Sequence, residues 1–194
     1  MITSFSPPQV NTKEILRYAR TSQPDPRTEA LLQTCLDELL PLLSYRVCYK
    51  ILPIERKGNT LYIGEIQTPS TLLHKALAEC NQAVLFAATI GLGPDRLIRR
   101  YSAASPAKAL LLQAIGAERA ESLCNAFVRS LEQKGYKLRP RVSPGFGDLG
   151  LDMQRDIFKV LECDKIGLTL GENLLMIPSK SVTAFIGMKE GMTV

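Results

Sequence analysis

Hydrophobic and polar residues follow two different periods along this chain, and the change from one to the other marks its elements. Leu31, Cys35, Leu36, Leu39 and Leu40 recur at three- and four-residue intervals, which lines one face of a helix. Asp25 precedes that stripe as a cap and Pro26 suits the first turn. Pro41 ends it, because proline has no N–H to offer a helix interior. From Tyr45 to Leu52 the period shortens to that of a strand, Lys57-Gly58-Asn59 makes a turn, and Thr60 to Ile66 returns as a second strand.

Beyond this hairpin, Leu72, Leu73, Ala76 and Leu77 give a helix after Thr68-Pro69. The unbroken apolar run from Ala83 to Gly91 predicts a strand buried on both faces. Ser105-Pro106 opens the longest helix, which runs towards Lys134 and stops at Gly135. Tyr136 to Val142 is expected to be extended and Asp152 to Glu162 helical, with strands at Asn173 to Ile177 and Ser181 to Met188. Residues 1–22, with Pro7 and Pro8 and one short helix around Glu14 to Arg20, are expected to form an N-terminal arm ahead of a single domain at 23–194. The class is α+β, with at least one antiparallel hairpin and no internal repeat.

Composition narrows the setting. A chain of 194 residues with 45% hydrophobic content can bury a core of its own. The net charge of +5 comes from 24 basic and 19 acidic residues. These are spread out, apart from short clusters such as Arg96, Arg99 and Arg100, as on a solvated face rather than in the dense stripe of a nucleic-acid groove. No apolar run approaches the roughly 20 residues of a membrane span. MITSFSPPQV has neither the basic nor the apolar region of a secretory signal, so the expected location is the cytoplasm. Cys35, Cys48, Cys80, Cys124 and Cys163 are odd in number and form no CxxC, as expected of small core residues rather than of a disulfide frame or zinc site. With His74 the only histidine, a Ser-His-Asp triad or a His-rich metal site has little to build from. Gly91, Gly93 and Pro94 in GLGPDR match neither dinucleotide nor Walker spacing, and predict a plain strand-to-helix turn.

The candidate chemistry lies in RVSPGFGD, Arg141 to Asp148. Pro144 fixes its own φ and biases Ser143 towards an extended shape, while Gly145 and Gly147 allow conformations and close approaches denied to other residues. An arginine at the end of a strand beside such a corner can grip a carboxylate through a bidentate fork. Phe146 can cover a flat base or attract a cation. The same residues also suit a sharp loop whose arginine pairs with a surface acid.

The C-terminal half resembles the activation domain of cobalamin-dependent methionine synthase. Arg141, Val142, Ser143, Pro144, Gly145 and Phe146 follow that family's Arg-Pro-Ala-Pro-Gly-Tyr segment, and IGLTLGENLLMIPSKSV, Ile166 to Val182, follows its glycine, leucine, glutamate, Met-X-Pro and Ser-Val pattern without a gap. AESLCNAF, Ala120 to Phe127, is similar to its Ala-Asp-Arg-Leu-Ala-Glu-Ala-Phe helix. The resemblance spans about residues 105–188.

It implies mixed helices around a largely antiparallel twisted sheet and a site for S-adenosylmethionine, held by Arg141, the Ser143, Pro144, Gly145 and Phe146 backbone, and Asn125. It also implies docking on a separate methionine synthase, with cobalamin present only through that partner. A flavodoxin-like protein would supply the electrons, and neither nucleic acid nor membrane is a partner. Asn125 stands where the family has a glutamate and Phe146 where it has a tyrosine. The positive charge of the ligand then needs another acid, with Asp148, Glu118 and Glu121 as candidates. The function expected is that of an accessory subunit for reductive reactivation. The alternatives are an interaction protein for corrinoid enzymes without a nucleoside site, and an independent methyltransferase, against which the lack of a glycine-rich first βα turn counts.

Overall fold

The computed structural model describes residues 1–21 and 23–189. Nine strands are described: β1 (Ile2–Ser4), β2 (Arg46–Lys57), β3 (Thr60–Ile63), β4 (Ile66–Thr68), β5 (Gln82–Thr89), β6 (Lys137–Leu138), β7 (Thr169–Leu170), β8 (Met176–Ile177) and β9 (Ser181–Lys189). The helices are α1 (Thr12–Tyr18), α2 (Pro26–Leu39), α3 (Thr71–Ala76), α4 (Gly93–Ala104), α5 (Pro106–Glu132) and α6 (Met153–Val160). Seven strands form one sheet in the order β4-β3-β2-β5-β9-β6, with β1 also paired to β2, and β7 and β8 form a separate ribbon. All of these pairings are antiparallel.

The apolar run at β5 is continuous because both of its faces are covered. Ala83, Leu85 and Ala87 pack with Leu73 and Leu77 from α3 and its end and with Ile157 of α6. Val84, Phe86 and Ala88 meet Leu123, Phe127 and Leu131 of α5 on the other side. Phe127 anchors that face, its ring 5.0 Å from Phe86 and 5.1 Å from Tyr49 between centroids. The first half of α5 builds a second layer, where Leu112 and Ile115 pack with Ile15, Leu32, Cys35 and Leu39 of α1 and α2.

Several expected elements are subdivided. The strand expected over Thr60 to Ile66 is two strands, because Gly64-Glu65 forms a two-residue turn that pairs Ile63 with Ile66. In the extended run from Tyr136, only Lys137 and Leu138 pair as β6. Pro140 cannot donate to the ladder, although Arg139 and Val142 on either side of it donate to Gly187 and Phe185 at 2.8 and 2.9 Å. Of Asn173 to Ile177, only Met176 and Ile177 are strand. Asn173 instead turns the chain by accepting from the Leu175 N–H at 3.1 Å. The turn in GLGPDR opens α4, and its Gly93 is dictated by packing, since a Cβ there would lie 2.9 Å from the Leu42 carbonyl oxygen.

The N-terminal segment does not stand apart as an arm. Ile2 pairs opposite Cys48, and the Phe5 ring meets Phe127 edge-on at 6.4 Å. Arg119, 0% exposed, donates to the Pro8 and Gln9 carbonyls at 2.6 and 2.7 Å and to Glu118 at 2.6 Å. Glu118 also accepts from Ser122 at 2.6 Å and from the Asn11 N–H at 3.2 Å. A buried charge is tolerated only when its partners are present. Arg119→Met is therefore expected to lower the unfolding free energy in a urea titration by about 3–5 kcal/mol, through the orphaned Glu118 carboxylate. Adding Glu118→Gln should recover part of that loss.

Candidate functional site

The corner at Arg141 to Asp148 is held at both ends. At its start Val142 and Phe185 exchange two backbone hydrogen bonds, at 2.8 and 2.9 Å, which carries the chain off β9. At its end Asp148 receives the Ser70 hydroxyl at 2.7 Å, the Thr71 N–H and hydroxyl at 2.6 Å, and the Leu72 N–H at 3.1 Å. The Thr71 and Ser70 hydroxyls, with the Leu72 and Thr71 N–H groups, hold its carboxyl well below the usual carboxylate range. Between these anchors Gly145 has φ +93°, a conformation that side chains resist. A Cβ there would also approach Leu151 to 3.2 Å.

The corner forms one wall of a cleft with two compartments. The larger, of about 400 Å³, is headed by Arg141 and Glu121 and walled by Leu72 and Val142. The other, of about 350 Å³, runs past Pro144 to Leu151, Gln154, Leu174, Leu175 and Thr183. Both include Glu121, Ser143, Phe146 and Val182. Phe146 is 66% exposed, so its ring is free to cover a ligand. Arg141 donates through Nη2 to the Glu121 carboxylate, while its Nη1 is buried and without a partner. A hollow of about 460 Å³ along α1 is larger, but there Arg17 is already bound to Glu14 at 2.7 Å.

Arg141, Ser143, Pro144 and Phe146 thus meet at one cleft, with Gly145 shaping its wall. Asn125 does not join them. It lies one turn beyond Glu121 on α5 and is exposed towards a separate polar groove formed with Pro8, Gln9, Asn11, Ser122 and Arg129. Among the three candidate acids, Asp148 is committed to α3 and Glu118 to Arg119, and Glu121 alone lines the cleft. Gln154, Thr183 and the Leu174–Met176 wall were not foreseen as site residues. The available signal was a glutamine inside the apolar stripe of α6, between Met153 and Ile157. The five cysteines are free and buried, and burial pushes the Cys124 thiol up to about 12 and the Cys35 thiol up to about 11.

The anchoring of Asp148 has a pH signature. In the unfolded chain its carboxyl titrates near pH ~4, and in the fold it titrates lower. Its contribution to stability is therefore complete above about pH 4 and is lost as the pH falls towards the folded value. Asp148→Asn should lower the urea midpoint at pH 7, and the gap to the wild type should narrow steadily in acid below about pH 4. A gap that is constant down to the acid limit would contradict this.

No family model and no curated protein matches the sequence. Among solved structures, a crystal structure of the MetH reactivation domain bound to AdoHcy matches with a TM-score of 0.65 and 18% identity, over 96% of this chain and 77% of that one. The helices and antiparallel sheet described above are those of that domain, and the resemblance in the sequence is matched in three dimensions: this chain has the fold of the MetH reactivation domain.

Proposed function

We propose that this protein binds S-adenosylmethionine, or its demethylated product, in the two-compartment cleft, and serves as a cytoplasmic accessory subunit for reductive reactivation of a separate cobalamin-dependent methionine synthase in methionine biosynthesis. The observation that carries the reading is the juxtaposition of Arg141 and Glu121 at the head of the cleft. Opposite charges side by side suit the carboxylate and ammonium of an amino-acid moiety. Arg141 would take the carboxylate and Glu121 the ammonium, with the Ser143, Pro144 and Gly145 backbone alongside and Phe146 over the ligand. The bound group would supply the methyl, and the chain's own residues would bind it, orient it and exclude water. The described solved structure binds AdoHcy on the same fold.

Docking is supported by the rim of the cleft. Phe146, Leu151, Leu175 and Ile177 are among the exposed large hydrophobic residues, and three of them line the 350 Å³ compartment. Apolar surface gathered around a cleft suits a protein partner. Cobalamin would come only with that partner, and a flavodoxin-like donor would supply the electrons. No helix among the described residues is long and apolar enough to cross a membrane.

A second reading is an interaction protein that has lost the nucleoside site. The ion pair itself favours it, since Glu121 already occupies Arg141. The exposure of the pair supports the first reading. With 24% and 40% of the two side chains exposed, such a pair is worth only about 0–1 kcal/mol. A ligand that presents a carboxylate to Arg141 and an ammonium to Glu121 can therefore replace it at little cost.

Calorimetry should therefore show S-adenosylhomocysteine binding to the wild type, and Arg141→Ala should weaken it by about 1.5–3 kcal/mol with little change in thermal stability. No binding by the wild type would favour the second reading. Added to a methionine synthase that has slipped to its oxidised cobalamin state, with reductant and S-adenosylmethionine, the protein should speed recovery of activity. Equal rates with and without it would sink the accessory role, because a partner that binds both states equally shifts nothing.

A further inference from the structure

Helix α6 turns Met153, Ile157 and Leu161, just past its end, to the core. Gln154 stands within this stripe, three residues before Ile157 and 4% exposed, where an apolar side chain would complete the face. A buried carboxamide is unfavourable unless its donors and acceptors are met. Here one partner is present: the Thr183 hydroxyl, itself buried, donates to Gln154 Oε1 at 2.9 Å. Among the described residues this is the only side-chain hydrogen bond of Gln154. Its nitrogen is absent from the atoms sealed in the core without a partner, and the open space beside it is the 350 Å³ compartment that Gln154 and Thr183 both line. A second acceptor lone pair and the N–H donors of the amide remain for a ligand.

The surroundings define the ligand group. Pro144, Leu151, Leu174, Leu175 and Val182 give apolar walls, and Phe146 stands at the rim, which suits a flat ring. One acceptor and one donor side by side complement a ring that carries an amino group next to a ring nitrogen, the pairing by which carboxamides recognise adenine. Resting on the reading that the cleft takes an adenosyl ligand, we infer that Gln154 is its specificity residue. Its carboxamide reads the amino edge of an aminopurine, and Thr183 holds that carboxamide in place. Arg141 and Glu121 then select the amino-acid end in the adjoining compartment, so the two ends of the ligand are read by different elements.

The test pairs a change in the residue with a change in the ligand. Binding of S-adenosylhomocysteine is compared by calorimetry with that of the analogue whose purine carries hydrogen in place of the 6-amino group. The wild type should prefer the amino compound about tenfold, the scale of one net hydrogen bond. Gln154→Leu, which completes the apolar stripe while leaving the Thr183 hydroxyl without its acceptor, should stay folded, as checked by its thermal midpoint, and should bind both compounds weakly and equally. Thr183→Val, which frees the carboxamide to rotate, should give an intermediate ratio. An undiminished preference in Gln154→Leu would overturn the assignment while leaving the adenosyl reading intact. Failure of the wild type to bind either compound would overturn both.

Discussion

The packing of α5 across the sheet is the constraint on which the rest of the molecule depends. Val84, Phe86 and Ala88 of β5 need a cover, and Leu123, Phe127 and Leu131 supply it. Once that face is fixed, the other faces of the same helix are fixed with it. Leu112 and Ile115 turn to the helical layer, Glu118 and Arg119 to the N-terminal segment, and Glu121 to the cleft. A helix is rigid over its 27 residues, so the hydrophobic contact that seats it also sets the position of the cleft acid.

The opposite wall of the cleft is placed by polar contacts. Asp148 alone gathers four hydrogen bonds from Ser70, Thr71 and Leu72, and Val142 is tied to Phe185. A loop fixed at both ends can hold a left-handed glycine between them and present Ser143 and Phe146 in one arrangement. Site groups thus come from α5, the corner, α6 and β9, and each is anchored independently. The strongly polar pair at Arg141 and Glu121 is left partly in water, where rearranging it costs little. The buried pair at Glu118 and Arg119 is the opposite case and serves to fasten the first residues to the core.

Much of this was legible along the chain because it depends on local periods. The double burial of β5 followed from an unbroken apolar run, the caps of α2 and the start of α5 from Asp25, Pro26 and Pro106, and the corner from Pro144, Gly145 and Gly147. The corner residues lie along one cleft. Breaks within strands were less visible. Gly64-Glu65 reads as part of a strand until the partner strand shows Ile63 opposite Ile66, and Pro140 interrupts a ladder whose register is set by β9.

Asn125 and Glu121 show what only the tertiary structure could decide. Four residues on a helix return almost to the same face, offset by about 40°, and sequence spacing cannot say which of the two looks into a cleft. The roll of α5 on the sheet settles it, sending Glu121 to Arg141 and Asn125 to the groove beside Pro8. Gln154 is similar, since its meaning depends on Thr183, 29 residues away, and on the opening beside it. The sequence by itself determined the elements and the shape of the corner, because periods, caps and turns act between near neighbours. The tertiary structure decided which charges and amides face one another, because that follows from packing between elements distant in the chain.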